Sequence, residues 1–296
     1  MNDVIIKALA YNKSVRVYSV SSTNALNEIG KRLNYYPSAL DAMGRVLNIG
    51  AMMGSMLKLE ETVTLKVEGD GPIGKIMVDA DAHGNVRGYC DNPHCHFEYN
   101  DFRLNAPMTV GTEGFISVIK DLKLKEPFIG TTPIISGQIG EDFAYYFNVS
   151  EQVPSAVGVG VLVNTDNVAV ASGGFIIQLL PNTPEDVIAA IEKKLQLIPS
   201  VSEMLASGYT PEDIVMNIAD DVEIIDKIPV NFKCNCSKDR FARGIITLGA
   251  DEIQDMINED KVQETICHFC GSTFTFTNDE LYELLNIAKK KGCKKC

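Results

Sequence analysis

The chain has 296 residues, 45% of them hydrophobic, which supports a sizeable core and excludes disorder as a description of the whole. Thirty-nine acidic residues against twenty-seven basic ones leave a net charge of -12, which repels nucleic acid and anionic lipid unless a basic patch is segregated. Eight cysteines are the second oddity of the composition.

At the start, MNDVIIKALAYNK places Asp3, Lys7 and Lys13 where the apolar run of a signal peptide would sit. No stretch reaches the roughly 18 apolar residues of a membrane helix, so a soluble, cytoplasmic chain in a reducing compartment is expected. There, cysteines bind metal or sense oxidants more often than they staple a fold. VIIKALA and SVRVYSVS read as strands around a polar turn at Tyr11 to Lys13, followed by a helix from Ser22 or Thr23 to about Leu33. Pro37 opens a longer helix with Leu40, Met43, Leu47 and Ile49 along one side. TVTLKVEG, KIMVDAD, NVRGYC, GFISVIK and IISGQIG are short, β-branched and separated by Gly, Pro and Asn, which predicts an antiparallel sheet. A short helix near Glu141 to Phe147 leads to two late strands, AVGVGVLVN and NVAVASGGFIIQLLP, joined at Thr165-Asp166. The expected fold class is α+β, with residues 1–181 forming the first domain.

From Asn182 to Asn231 the pattern turns helical. Thr183-Pro184-Glu185-Asp186 and Thr210-Pro211-Glu212-Asp213 are start signals, and Val187, Ile188, Ile191, Leu195 and Ile198 share one face. Ten acidic and three basic residues give this stretch more than half of the net charge. Residues 182–231 are therefore expected to form an acidic helical linker whose short helices persist only when docked on a neighbour. Its acid run Asp220-Asp221-Val222-Glu223 reads as a solvated face.

Several motifs lose on context. Gly69-Asp70-Gly71-Pro72-Ile73-Gly74-Lys75 fits a phosphate-loop skeleton, but Ile76 stands where magnesium needs a hydroxyl and a strand follows instead of a helix. Gly158-Val159-Gly160 lacks the third glycine of a dinucleotide fingerprint. The histidines His83, His94, His96 and His268 have no Gly-x-Ser-x-Gly elbow to serve. Cys90, His94, Cys95 and His96 offer metal-ligand types, against the plainer reading of a polar turn with an incidental thiol pair. Met52, Met53 and Met56 suit an adaptable binding surface or, more simply, core filling.

The strong signal is Cys234-Asn235-Cys236, thirty residues, then Cys267-His268-Phe269-Cys270. Each close pair supplies one edge of a tetrahedron and the intervening chain folds back to join the edges, as a four-thiolate zinc site requires. His268 is an alternative ligand, displaced by four sulfurs that already complete the shell. Around the cysteines, Asp239 to Leu248, Asp251 to Ile257 and Asp279 to Ala288 read as helices and TFTF as a strand. Residues 232–296 are too few for a self-sufficient core, so metal is expected to hold this C-terminal module together.

Phe232-Lys233-Cys234-Asn235-Cys236-Ser237, the LGADEIQDMINED stretch ending at Asp260, Cys267-His268-Phe269-Cys270, DAHGNVRGYCDNP and ASGGFIIQLLP together resemble the bacterial 33 kDa redox-regulated heat shock chaperone family over the full length. The resemblance implies no enzyme. It implies an ATP-independent holdase with a reduced, Zn2+-bound resting form and an oxidised, zinc-free active form that binds unfolded or oxidatively damaged client proteins. It also implies a homodimer when active, handover of clients to an ATP-driven chaperone system, and no nucleic acid or membrane partner. Disulfides Cys234-Cys236 and Cys267-Cys270 are the pairing expected of the oxidised form.

Energetics accord with such a switch. A structural zinc site contributes roughly 10–16 kcal/mol of apparent folding free energy, comparable with the stability of a whole domain at about 5–15 kcal/mol. Closing loops of three and four residues by disulfides restores only about 1.6 and 1.9 kcal/mol in the chain-entropy model. Oxidation therefore predicts an unfolded module and a released linker. The sequence departs from the minimal family pattern in Cys90, Cys95, Cys293 and Cys296; the last two lie among lysines that lower a thiol pKa, or in a frayed tail with no redox role. The alternatives are a zinc-dependent thiol-disulfide oxidoreductase using the same cysteines and, disfavoured by acidity, a zinc-ribbon nucleic-acid binder.

Overall fold

The computed structural model describes residues 2–101 and 103–292. They divide into two units, residues 1–233 and 234–296. In the first, β1 (Val4–Ala10) and β2 (Val15–Ser21) form a hairpin whose turn holds Tyr11, Asn12 and Lys13 all at positive φ. Helices α1 (Thr23–Leu33) and α2 (Pro37–Ser55) follow, then β3 (Thr62–Gly69), β4 (Lys75–Asp81), β5 (Asn85–Cys90), α3 (Ala106–Val110), β6 (Gly114–Asp121) and β7 (Phe128–Pro133). Next come α4 (Ile139–Val149), β8 (Ser155–Val163), β9 (Ala169–Leu179), α5 (Glu185–Leu197), α6 (Val201–Ala206), α7 (Pro211–Ile218), β10 (Glu223–Pro229) and β11 (Asn231–Phe232).

Among the described residues the strands form a five-stranded sheet, β10-β1-β2-β9-β8, and a six-stranded sheet, β11-β5-β4-β3-β6-β7. Apart from the short parallel pairing of β11 with β5, the ladders are antiparallel, so the α+β class holds. Helix α2 runs between the sheets and is buried on every side. The sequence period placed its apolar residues on one side only. Glycines explain the difference: a Cβ on Gly44 would stand 2.5 Å from Leu26 and 2.7 Å from Val161, and one on Gly50 2.7 Å from Val78. Smooth helix surfaces let both sheets close on α2. Met52 and Met53 are core residues, with exposures of 0% and 2%.

Two further expectations are corrected. IISGQIG is not a strand; the strand is Phe128–Pro133, and Ile134 to Gln138 turn into α4. The Asp142 carboxylate accepts from the backbone N–H groups of Ile135 and Ser136 at 2.8 and 2.9 Å, replacing a ladder with side-chain bonds. The segment read as helical to Asn231 ends its helices at Ile218, and Glu223–Pro229 is a strand beside β1. In EIIDKIP the charged residues stand on an exposed edge and conceal the β-branched run.

Helices α5 to α7 cover the outer face of the five-stranded sheet, where Ile191, Val201, Met204, Leu205, Ile214, Val215 and Ile218 meet Ile6, Val15, Val17 and Phe175. Helix α6 sits close to the strands because Gly160 and Gly173 leave room: a Cβ on Gly173 would lie 2.4 Å from Leu205 Cδ1. Both α6 and α7 begin with reciprocal caps, Ser200 with Glu203 and Thr210 with Asp213.

In the second unit, α8 (Lys238–Leu248), α9 (Ala250–Asn258), the hairpin β12 (Gln263–Ile266) and β13 (Thr273–Phe276), and α10 (Asn278–Gly292) enclose a small core. Ile245, Ile253, Ile257, Phe276, Leu281, Leu284, Leu285 and Ala288 make up its buried set. So few side chains hold such a unit weakly without a cross-link.

Candidate metal centre

Cys234 and Cys236 lie on extended chain before α8, whose first turn is tied by Ser237 Oγ accepting from the Arg240 N–H. Cys267 and Cys270 occupy the turn between β12 and β13. There the N–H groups of Gly271 and Cys270 donate to the Cys267 carbonyl at 2.8 and 3.3 Å, and the Cys267 N–H donates to the Ser272 carbonyl at 2.9 Å. Gly271, at φ 71°, closes this turn in a conformation that strains other residues.

The turns bring all four sulfurs within 4.8 Å of one another, with Cys234 Sγ 3.7 Å from Cys267 Sγ and Cys236 Sγ 3.4 Å from Cys270 Sγ. A metal–thiolate bond of ~2.3 Å sets the edges of a tetrahedron at about 3.8 Å, so the donor set fits one tetrahedral metal ion. Cys267 and Cys270 are buried, at 5% and 6% exposure, while Cys234 and Cys236 are half-buried. Burial raises the Cys236 thiol to about 12, helped by its sulfur neighbours, and also raises Cys267. Burial opposes ionisation of Cys270 as well, but hydrogen bonds from the Ser272 hydroxyl and N–H, with those of Cys236 and Cys267, bring it down to about 6. Without a cation, then, Cys236 and Cys267 keep their protons at neutral pH; a divalent metal lets both ionise. Ser272, 3.3 Å from Cys270 Sγ, was not singled out in the sequence; a hydroxyl two residues beyond Cys270 was the available signal.

The other expectations fall as follows. His268 is exposed and outside the four-sulfur group. Cys90 and Cys95 are buried, and burial pushes Cys90 up to about 12, which keeps it protonated and inert. His94 lies against the Tyr36 ring and His96 Nε2 stands 3.3 Å from Glu98. Among the described residues no metal-sized cluster includes these four. Cys293 and Cys296 lie outside the described residues. The phosphate-loop look-alike has no free amides to offer: the N–H groups of Asp70, Gly71, Ile73 and Gly74 donate to the carbonyls of Glu113, Val110, Thr109 and Gly71. Gly158 accommodates the Phe175 ring, 2.4 Å from where its Cβ would be. No helix among the described residues is long and apolar enough to cross a membrane.

Comparison with known proteins agrees with the site. The family model described as Hsp33 protein matches residues 3–277. The chain is 49% identical over 295 residues to the 33 kDa chaperonin of Geobacillus sp. (strain WCH70), covering 99% of this chain and 100% of that one. It is 50% identical over 287 residues to the 33 kDa chaperonin of Oceanobacillus iheyensis, covering 96% and 99%. The crystal structure of the 33 kDa chaperonin of Thermotoga maritima superposes with a TM-score of 0.91 at 30% identity, covering 98% of this chain and 100% of that one. The full-length match in sequence and fold, together with the four-cysteine cluster, places the chain in the Hsp33 family, whose members here are chaperonins.

Proposed function

We propose that the protein is an ATP-independent holdase activated by oxidation, with the four cysteines as its sensor. The observation that carries this reading is the convergence of Cys234, Cys236, Cys267 and Cys270 within 4.8 Å in a unit with a small apolar core. Four thiolates and no oxygen donor favour Zn2+ as the resident ion. Zinc keeps the sulfurs deprotonated and ties together chain ends thirty residues apart.

A peroxide supplies the oxidising equivalents. One thiolate attacks a peroxide oxygen, giving a sulfenic acid and releasing hydroxide; the neighbouring thiol then displaces the second oxygen as water and closes a disulfide. Each disulfide thus costs two electrons from a cysteine pair. Pairing Cys234 with Cys236 and Cys267 with Cys270 removes all four ligands, yet leaves the long connection open. The zinc contribution, about 10–16 kcal/mol, is not recovered, and the C-terminal module unfolds. Residues 182–231, a linker in this reading, then separate from the first sheet and uncover apolar surface that holds unfolding clients. Assembly into a homodimer, later transfer of clients to an ATP-driven chaperone system and a cytoplasmic location complete the proposal. Nucleic acid and membrane play no part in it.

The test is aggregation of a thermally unfolding client with the zinc-loaded protein and with the peroxide-treated protein. Suppression at near-stoichiometric ratios only after oxidation is expected. Repeated turnover of a disulfide substrate at catalytic protein levels would instead favour the oxidoreductase.

A further inference from the structure

We propose that the outer edge of β1 is the surface on which the activated protein holds clients, and that it takes extended main chain by strand addition. The juxtaposition behind this is one stretch of chain that covers two sheet edges and ends at the cysteine cluster. Strand β10 pairs with β1 at the edge of the five-stranded sheet; two residues later β11 pairs with β5 at the edge of the six-stranded sheet, and the Lys233 N–H donates to the Val86 carbonyl at 3.0 Å. Cys234 follows at once. The inference rests on the reading above, in which oxidation frees this chain from Cys234 backward.

The two strands of the β1–β10 ladder differ in character. Strand β1, VIIKALA, buries Ile5, Ile6, Ala8 and Ala10. Its single charge does not guard the edge, because Lys7 Nζ donates to the Ser55 carbonyl at 2.7 Å. Strand β10, EIIDKIP, has the features with which proteins blunt an edge: Glu223, Asp226, Lys227 and a terminal proline, Pro229. It is held lightly. Ile224 and Ile228 are only half-buried, Ile225 is 58% exposed, and the register shifts between Lys7 and Ala8. Its remaining ties are mostly main-chain, with the Tyr11 N–H on the Asp220 carbonyl and the Val230 N–H on the Asp3 carbonyl, each at 3.0 Å. Two ion pairs add to these: Lys13–Glu223 at one end, exposed and worth little, and Lys227 Nζ with Glu212 Oε1 at 2.7 Å, which ties the strand to the start of α7.

Removing β10 therefore leaves an apolar strand, anchored on its other side by β2, with a row of unpaired N–H and C=O groups. Such an edge recognises backbone, which every unfolding protein offers, and it selects extended segments poor in proline. Strand β10 is in this view an internal stand-in for the client.

Hydrogen exchange of residues 4–10 tests the proposal in the full chain, reduced and peroxide-treated, with and without a permanently unfolded carboxymethylated polypeptide. Aggregation suppression is measured on the same samples. Exchange of β1 amides should rise at least about tenfold on oxidation and fall back when the polypeptide is added. A short Val/Thr peptide should compete with it, and the same peptide carrying N-methyl groups on one backbone edge should compete at least about tenfold less well. Suppression with β1 exchange unaffected by the polypeptide would overturn the inference and leave the holdase reading intact. Protection that returns with protein concentration alone would put a second copy on the edge and overturn it too. Absence of suppression after oxidation would overturn both.

Discussion

Cys236 Sγ lies 3.4 Å from Cys270 Sγ, a contact made across thirty-three residues of intervening chain by two turns that each carry a cysteine pair. Replacing either sulfur by oxygen, as in Cys236→Ser or Cys270→Ser, removes a soft ligand from a set of four. Bound zinc should fall from one per chain toward zero, and the C-terminal unit should lose its fold, because roughly 10–16 kcal/mol of metal binding exceeds what eight buried side chains supply. Zinc content and the methyl NMR signals of Ile245 and Leu281 measure this, with the signals of Ile5 and Val20 expected to stay.

Metal affinity should depend steeply on pH. In the metal-free cluster burial holds Cys236 at about 12 and raises Cys267, so both carry protons at neutral pH, while the bound form needs them ionised. Binding thus releases protons and weakens as pH falls, by on the order of a hundredfold per unit for two protons. Chelator competition at two pH values checks the slope; a flat response would mean that fewer than four thiolates bind the metal.

Helix α6 depends on Gly173. A methyl group there would meet Leu205 Cδ1 at 2.4 Å and the Val20 carbonyl oxygen at 2.3 Å, so Gly173→Ala should push α6 off the sheet at a cost of about 1–3 kcal/mol. Denaturant titration reads the loss. In the proposed mechanism the variant should also suppress client aggregation in part while still reduced and metal-loaded.

The cap of α7 gives a smaller, pH-dependent effect. The Thr210 backbone N–H and hydroxyl hold the Asp213 carboxyl below its ordinary value of 3.8. A carboxyl with a depressed folded value stabilises above its unfolded value, and that contribution fades as pH falls through the folded one. Thr210→Ala should cost about 1 kcal/mol at neutral pH. The difference from the natural protein should shrink on acidification below the ordinary carboxylate range, as denaturant midpoints at neutral and acid pH would record.

The site was legible because cysteine spacing is a local signature of a tetrahedron, and Cys234, Cys236, Cys267 and Cys270 need only two turns to converge. Element types followed from period wherever one face was buried, as in β3, whose Val63, Leu65 and Val67 alternate inward. Period does not report a second neighbour, so the closure of both sheets on α2 was hidden in Gly44 and Gly50. Nor does it report side chains that substitute for a ladder, as Asp142 does at Ile135 and Ser136. The acidic stretch was legible as helical at the cap Thr210, while the Ser200 cap of α6 was not singled out, and β10 was missed because its partner β1 lies more than two hundred residues away in the chain.

The central claim is that loss of the metal through local disulfides creates the activity. The most direct measurement follows zinc release, thiol mapping and aggregation suppression together through one oxidation time course. The account predicts that suppression rises with zinc release while Cys234 pairs with Cys236 and Cys267 with Cys270. Full activity with zinc still bound, or a disulfide between Cys236 and Cys267, would contradict it.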